Sequence, residues 1–190
     1  MQNKYTYDQK FKQIDFSQAL HELGDFEQCQ FEQCNFEGVD LGELNFMNCT
    51  FIECNLSNVN LTTTRFQEAE FKGCKMIGFN LEQANPFGLK VKFEQCVLNE
   101  SSFYNVQLSK THFNDCQLKN VDFGEANLSQ SYFQHCDLQH TIFDQTNLEK
   151  ANLTSAYNFN INPNENKIKQ AKFSKENCIG LLHHLNIKIE

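Results

Sequence analysis

The chain has 190 residues, with 24 acidic against 16 basic side chains, a formal net charge of −8 and no tryptophan. That length is one domain's worth, no apolar run approaches the ~20 residues of a membrane span, and the acidic balance disfavours direct nucleic-acid binding, which needs cations to displace counterions. Nine cysteines are an odd count and Met1 to Lys10 lacks the apolar segment of a signal peptide, so a reducing cytoplasm is the expected setting.

From Phe11 to Leu81, and again from Phe93 to Leu153, nearly every fifth residue is Phe or Leu. Of these 28 centres, 15 are Phe and 11 are Leu, with His21 and Met76 the exceptions. The position two before each centre is small almost throughout, as in Cys29, Cys34, Val39, Cys49, Cys54, Val59, Ala69 and Cys74. The other three positions are mostly polar. A period of five fits neither helix nor strand, so the chain must turn regularly and stack on itself as a solenoid.

A second period gives the size of one coil. Cys34, Cys54 and Cys74 are twenty apart, as are Cys96, Cys116 and Cys136, so four pentads make one turn. Phe and Leu alternate from Phe93 to Leu148, which places Phe on two opposite sides of a four-sided coil and Leu on the other two. Seven coils at the ~4.8 Å strand spacing form a rod on the order of 34 Å long, with ends that need caps. Stacked thiols in such an interior are small core hydrophobes, and a column does not converge on a metal as zinc ligands must.

Two places depart from the repeat. His21 occupies a centre in the first full coil, where a partly exposed end residue is expected. Phe93 follows Leu81 by twelve residues where the repeat requires ten. The two extra residues lie in Asn85-Pro86-Phe87-Gly88-Leu89-Lys90, and proline and glycine there predict a bulge, either tolerated or contacting a partner.

After Tyr157 the chain changes character. Asn162-Pro163-Asn164-Glu165-Asn166 reads as a loop, and Lys169 to Phe173 restores one pentad. Ser174 can cap a short helix through Leu185. Cys178, Leu181, Leu182 and Leu185 would share its apolar face with Ile179 beside them, and Ile187 and Ile189 alternate with polar residues as a final strand. The expected organisation is a solenoid over 1–157 followed by a loop, last pentad, helix and strand over 158–190. These apolar tail residues exceed what one coil end can cover, so a two-fold homodimer through them is expected.

Asp122-Phe123, Ala126-Asn127-Leu128 and Ala151-Asn152-Leu153 resemble the consensus of the pentapeptide-repeat proteins, a likeness covering roughly residues 9 to 157. The resemblance implies an all-β, right-handed quadrilateral β-helix. In the tail, Ala171-Lys172-Phe173, Gly180-Leu181-Leu182 and Leu185-Asn186-Ile187 resemble the C-terminal cap of the Qnr and MfpA group. The stretch from Asn162 resembles that of the microcin B17 immunity protein. Membership of that group would imply a dimeric mimic of duplex DNA that binds DNA gyrase or topoisomerase IV. The Qnr proteins also carry two projecting loops important for quinolone protection, and both runs here are loop-free apart from the two-residue insertion.

Charge gives an independent reading. Residues 1–157 hold 21 acids and 11 bases, whereas the remainder holds 3 and 5. Within the pentads the net of eleven negative charges is about one per ~3 Å of rod, against one per ~1.7 Å for duplex DNA. If the insertion bulges without rotating the coil, the pentads centred on His21, Leu41, Leu61, Leu81, Phe103, Phe123 and Phe143 share one face. That face carries Glu22, Asp40, Glu43, Glu82, Asp122, Glu125 and Asp144 and no Lys or Arg, while the other three mix signs. The six histidines show no spacing that builds a triad or metal site, and no phosphate loop appears, so neither catalysis nor a cofactor is expected. Two functions remain open: occupation of a type II topoisomerase's DNA site, or a general interaction scaffold for an unrelated partner.

Overall fold

The period of five is produced by a corner. In the computed structural model, which describes residues 4–19 and 23–188, the residue two places after almost every centre has a positive φ. Gln33 at 53°, Glu53 at 52°, Gln95 at 55° and Glu125 at 56° are typical. A residue with a Cβ gives up roughly 1–2 kcal/mol in this left-handed region. The compensation comes from the next coil: the N–H groups of Gln33, Glu53, Gln95 and Glu125 donate to the carbonyls of Ile52, Lys72, Asn114 and Asp144 at 2.7–2.8 Å.

Corners at this spacing make a four-sided coil, and successive coils pair in parallel and in register. One face is a nine-stranded sheet of Lys10–Lys12, Gln30–Glu32, Thr50–Ile52, Ala69–Lys72, Val91–Glu94, His112–Asn114, Tyr132–Gln134, Asn152–Leu153 and Lys172–Phe173. Next to it in the coil lies a four-stranded sheet of Tyr5–Tyr7, Asp25–Glu27, Asn45–Met47 and Arg65–Gln67. The other faces are ladders of single bridges, one running from Asp15 through Asn35, Asn55, Lys75, Val97, Gln117 and Asp137 to Tyr157. The result is a quadrilateral β-helix of about eight turns, one more than the two runs alone supply, because the pentad ending at Phe173 adds a level.

The interior is a set of ring columns. Phe11, Phe31, Phe51, Phe71, Phe93, Phe113 and Phe133 stack nearly parallel, with centroids 4.8–5.4 Å apart. Neighbouring columns meet edge to face, as at Phe31 and Phe26, 5.1 Å apart. This geometry suits the quadrupoles of both arrangements. The small positions hold buried free thiols whose Sγ–H groups donate to carbonyls, Cys54 to Phe31 O and Cys74 to Phe51 O at 3.4 Å each. Burial pushes the Cys49 thiol up to about 12, so it stays protonated at neutral pH.

The insertion leaves this register intact. Phe71 stacks on Phe93 at 5.4 Å and 12°, Lys75 bridges to Val97, and Asn80 bridges to Ser102. The two extra residues therefore bulge out on the four-stranded side without rotating the coil. That side loses a centre ring there, and Phe79, standing at a small position, fills the space: it is fully buried, 5.8 Å from Phe71 and 6.1 Å from Phe66.

The C-terminal cap takes a tighter form than a regular α-helix. Ser174 Oγ accepts the Asn177 N–H at 3.1 Å as a cap should, but the turns that follow, Cys178–Leu181 and His183–Leu185, are 3-10 helix. Gly180 explains the break. It is buried directly on the last coil, where a Cβ would lie 2.4 Å from the Phe159 carbonyl oxygen, and its own carbonyl accepts the Ile161 N–H at 3.0 Å. Ile187 and Lys188 form no strand, and Ile189 lies outside the described residues.

Phe123 tests the packing. It is fully buried between Phe103 and Phe143, at 5.1 and 5.7 Å. Phe123→Ala is expected to cost ~3–5 kcal/mol in denaturant unfolding, and a loss under about 1 kcal/mol would contradict the column.

Candidate functional site

The intact register decides which side chains share a face. Asp40 bridges to Asn60, the Thr63 N–H donates to Gln83 O at 2.9 Å on the next level, and Asn80, Ser102, Asp122 and Ile142 follow as a ladder of bridges. The pentads centred on Leu41, Leu61, Leu81, Phe103, Phe123 and Phe143 therefore stack, bringing Asp40, Glu43, Glu82, Asp122, Glu125 and Asp144 onto one side of the rod. The seventh expected acid, Glu22, and the centre His21 lie outside the described residues. From the coil of Asp40 to that of Asp144 the face rises about 24 Å at ~4.8 Å per coil.

These acids divide by what holds them. Asp40 and Asp122 stand one place before their centres, and each Oδ1 accepts the N–H two residues on, from Gly42 at 2.9 Å and from Gly124 at 2.7 Å. Asp40 also accepts from Asn60 Nδ2 at 2.9 Å. Both are turn-formers as well as surface charges. Glu43, Glu82, Glu125 and Asp144 are exposed and have no such backbone duty. Glu82 accepts from Ser102 Oγ at 2.7 Å.

Sequence reasoning missed Tyr104, which stands among these acids at 42% exposure. Its hydroxyl donates to Glu125 Oε1 at 2.6 Å. That bond, with the charges of Glu125, Asp122 and Asp144 around it, holds the phenol above its ordinary pKa. The only signal in the sequence was position: a side chain one place after a centre projects from the flat of the coil, as Glu82 and Asp144 do.

The nine-stranded face on the opposite side of the rod shows the contrast. Two of its acids are answered by lysines, Glu32 by Lys12 at 2.7 Å and Glu70 by Lys92 and Lys72 at 2.8 and 3.2 Å, and Asp115 faces His135 Nδ1 at 3.1 Å. Those lysines hold the Glu70 carboxyl below the usual range. Lys119 pairs with Asp137 at 3.2 Å on the next face. Among the described residues no ion pair involves the six acids of the Asp40–Asp144 face. Exposed pairs add little stability, but they cancel field, and the Asp40–Asp144 face carries its acids with no Lys or Arg to cancel them.

The tail residues fall into two groups. Leu181 packs against the core, whereas Ile179, Leu182, Leu185 and Ile187 are 42, 37, 50 and 56% exposed, and Cys178 is exposed as well. Ile179, Leu182 and Leu185 are three apart, so in a 3-10 turn of three residues they line up on one outer stripe. Beside the cap lies a hollow of about 960 Å³ whose walls include His140, His183, His184 and Glu165. Among the described residues no three His, Cys, Asp or Glu side chains converge to hold a metal, and no helix is long and apolar enough to cross a membrane.

No curated protein matches the chain. Its structure is similar to that of a trypsin-treated variant of QnrB1, a plasmid-mediated fluoroquinolone resistance protein, with a TM-score of 0.75 at 15% identity over 100% of this chain and 92% of that one. A second trypsin-treated QnrB1 variant gives 0.63 at 16% identity, over 100% and 99% of the two chains. At that identity the likeness concerns the fold. The family model described as the pentapeptide repeat region matches residues 24–86 and 89–173, breaking at the two residues that bulge from the rod, and the chain belongs to the pentapeptide-repeat family.

Proposed function

We propose that this protein is a binding protein, without catalysis, that lays its acid-only face into the basic DNA-binding groove of a type II topoisomerase, DNA gyrase or topoisomerase IV. The observation that carries the reading is the segregation of charge. Six acids spread over about 24 Å have no cationic partner on their face, while Lys12, Lys92 and Lys119 on other faces are paired with acids of their own. A cationic groove shaped for a phosphate backbone is the natural complement of a stiff anionic rod. The likeness to QnrB1 contributes the scaffold, and the tail motifs contribute the resemblance to proteins of topoisomerase immunity and drug protection. A reducing cytoplasm, where such a partner works, also suits eight buried free thiols.

The same reading includes a homodimer. The outer stripe of Ile179, Leu182 and Leu185, extended by Ile187, is apolar surface at the rod end that nothing in the described residues covers. Two copies joined there about a two-fold axis would bury it and double the length of the acid-only rod.

Two measurements test these points. Changing Leu182 and Leu185 to Asp is expected to convert a dimer to a monomer in sedimentation at micromolar concentration, and a monomeric unmodified protein would rule the dimer out. For the face, the residues to reverse are those whose carboxylates accept no backbone N–H within a turn. Changing Glu43, Glu82, Glu125 and Asp144 to Lys is expected to weaken gyrase binding strongly. Changing Glu32, Glu53, Glu94 and Asp115 on the mixed face, with the same change in net charge, is expected to do less. Equal losses would show that no particular face is read, and a general scaffold for another partner would then be the better reading.

A further inference from the structure

Phe87 is 74% exposed, the highest value among the large apolar side chains described. A single exposed apolar residue is ordinary, but this one stands on a turn closed by hydrogen bonds. The Asn85 side-chain oxygen accepts the Phe87 N–H at 2.9 Å, and Leu89 N–H closes the turn onto Pro86 O at 3.3 Å. Gly88 follows at φ +69°, where a Cβ would lie 2.7 Å from the Gln67 amide nitrogen. Both roots of the bulge are tied to the coil below, Asn85 N–H to Thr64 O at 2.8 Å and Lys90 N–H to Phe66 O at 3.0 Å. Immediately beside it is a hollow of about 410 Å³ whose lining includes Ala84, Pro86, Leu89 and Val106 together with Glu82 and Tyr104 of the acid-only face. The apolar protrusion and the charged face share an edge.

We infer that Phe87, with this hollow, is the anchor that fixes where along the rod the partner sits. The inference rests on the charge reading above and deepens it. Acids stand on the coils of Leu41, Leu81, Phe123 and Phe143 and not on those of Leu61 and Phe103, so a slide of two coils brings acid over acid again, and charge attracts a basic groove at more than one axial register. One protruding ring sets a single one, and because the turn that carries it is already hydrogen-bonded, its insertion orders little backbone. The partner's chemistry follows: a protein surface with an apolar pocket beside its cationic strip. A duplex carries no protruding ring, so this contact is one that a nucleic acid in the same groove does not make.

The test uses the full-length protein and DNA gyrase holoenzyme, with affinity measured across a range of salt concentrations. Phe87→Ala is expected to weaken binding about 10-fold or more, as a central aromatic anchor does. Its unfolding temperature and salt dependence are expected to stay unchanged, since the ring is exposed and uncharged. The fourfold reversal of Glu43, Glu82, Glu125 and Asp144 is expected to flatten the salt dependence instead. Unchanged affinity in Phe87→Ala, beside a reversal variant that binds poorly, overturns the anchor and leaves the charge reading standing. A reversal variant that binds as well as the unmodified protein, or no binding by the unmodified protein, removes the charge reading and the anchor with it. A shift in sedimentation on Phe87→Ala assigns the ring to contact between two copies and also overturns the inference.

Discussion

Everything in this molecule depends on successive coils lying in register. The corners have backbone conformations that residues with a Cβ avoid, and 25 non-glycine positions with positive φ could not persist in an isolated coil. They persist because most corner N–H groups are satisfied by the coil above, and because the same vertical alignment lets phenyl rings stack at 4.8–5.4 Å. Register is therefore both the source of stability and the device that sorts surface residues into columns. A side chain's neighbours outward are those twenty places away, or twenty-two across the bulge.

That sorting turns a sequence pattern into an electrostatic surface. Acids scattered at 40, 43, 82, 122, 125 and 144 are remote in the chain and adjacent on one side of the rod. Their field is uncancelled because Lys12, Lys72, Lys92 and Lys119 stand in other columns, beside other acids. The bulge matters for the same reason. Had two extra residues rotated the coil, the upper half of this face would have been a different set of side chains; because they loop out, the face continues and gains an apolar feature at its edge.

Much of this was legible in the chain. The centres and small positions are chosen by the core, and a core that repeats writes its period into the sequence, so the coil, its four sides and the face of acids could all be read there. The corners could not. Gly38, Gly73 and Gly78 stand at three of them, but most are Gln, Glu, Asn, Asp, Lys or His, since what stabilises the left-handed conformation is the neighbouring coil and not the residue itself. The cap was read by helical spacing, and the structure replaces that with 3-10 turns because Gly180 must approach Phe159 more closely than a residue with a Cβ allows. The double role of Asp40 and Asp122 was written as Asp-Leu-Gly and Asp-Phe-Gly, but becomes plain only when each carboxylate is seen accepting its glycine's N–H.

The central claim is that the acid-only face takes the place of DNA. The direct measurement is displacement: a fluorescently labelled duplex is bound to DNA gyrase holoenzyme and the unmodified protein is titrated in while anisotropy is followed. Competition for one groove predicts that the duplex is released, and that the midpoint moves to higher protein concentration in proportion to added unlabelled duplex. Binding of the protein to gyrase with the duplex still held, as a ternary complex, would contradict it.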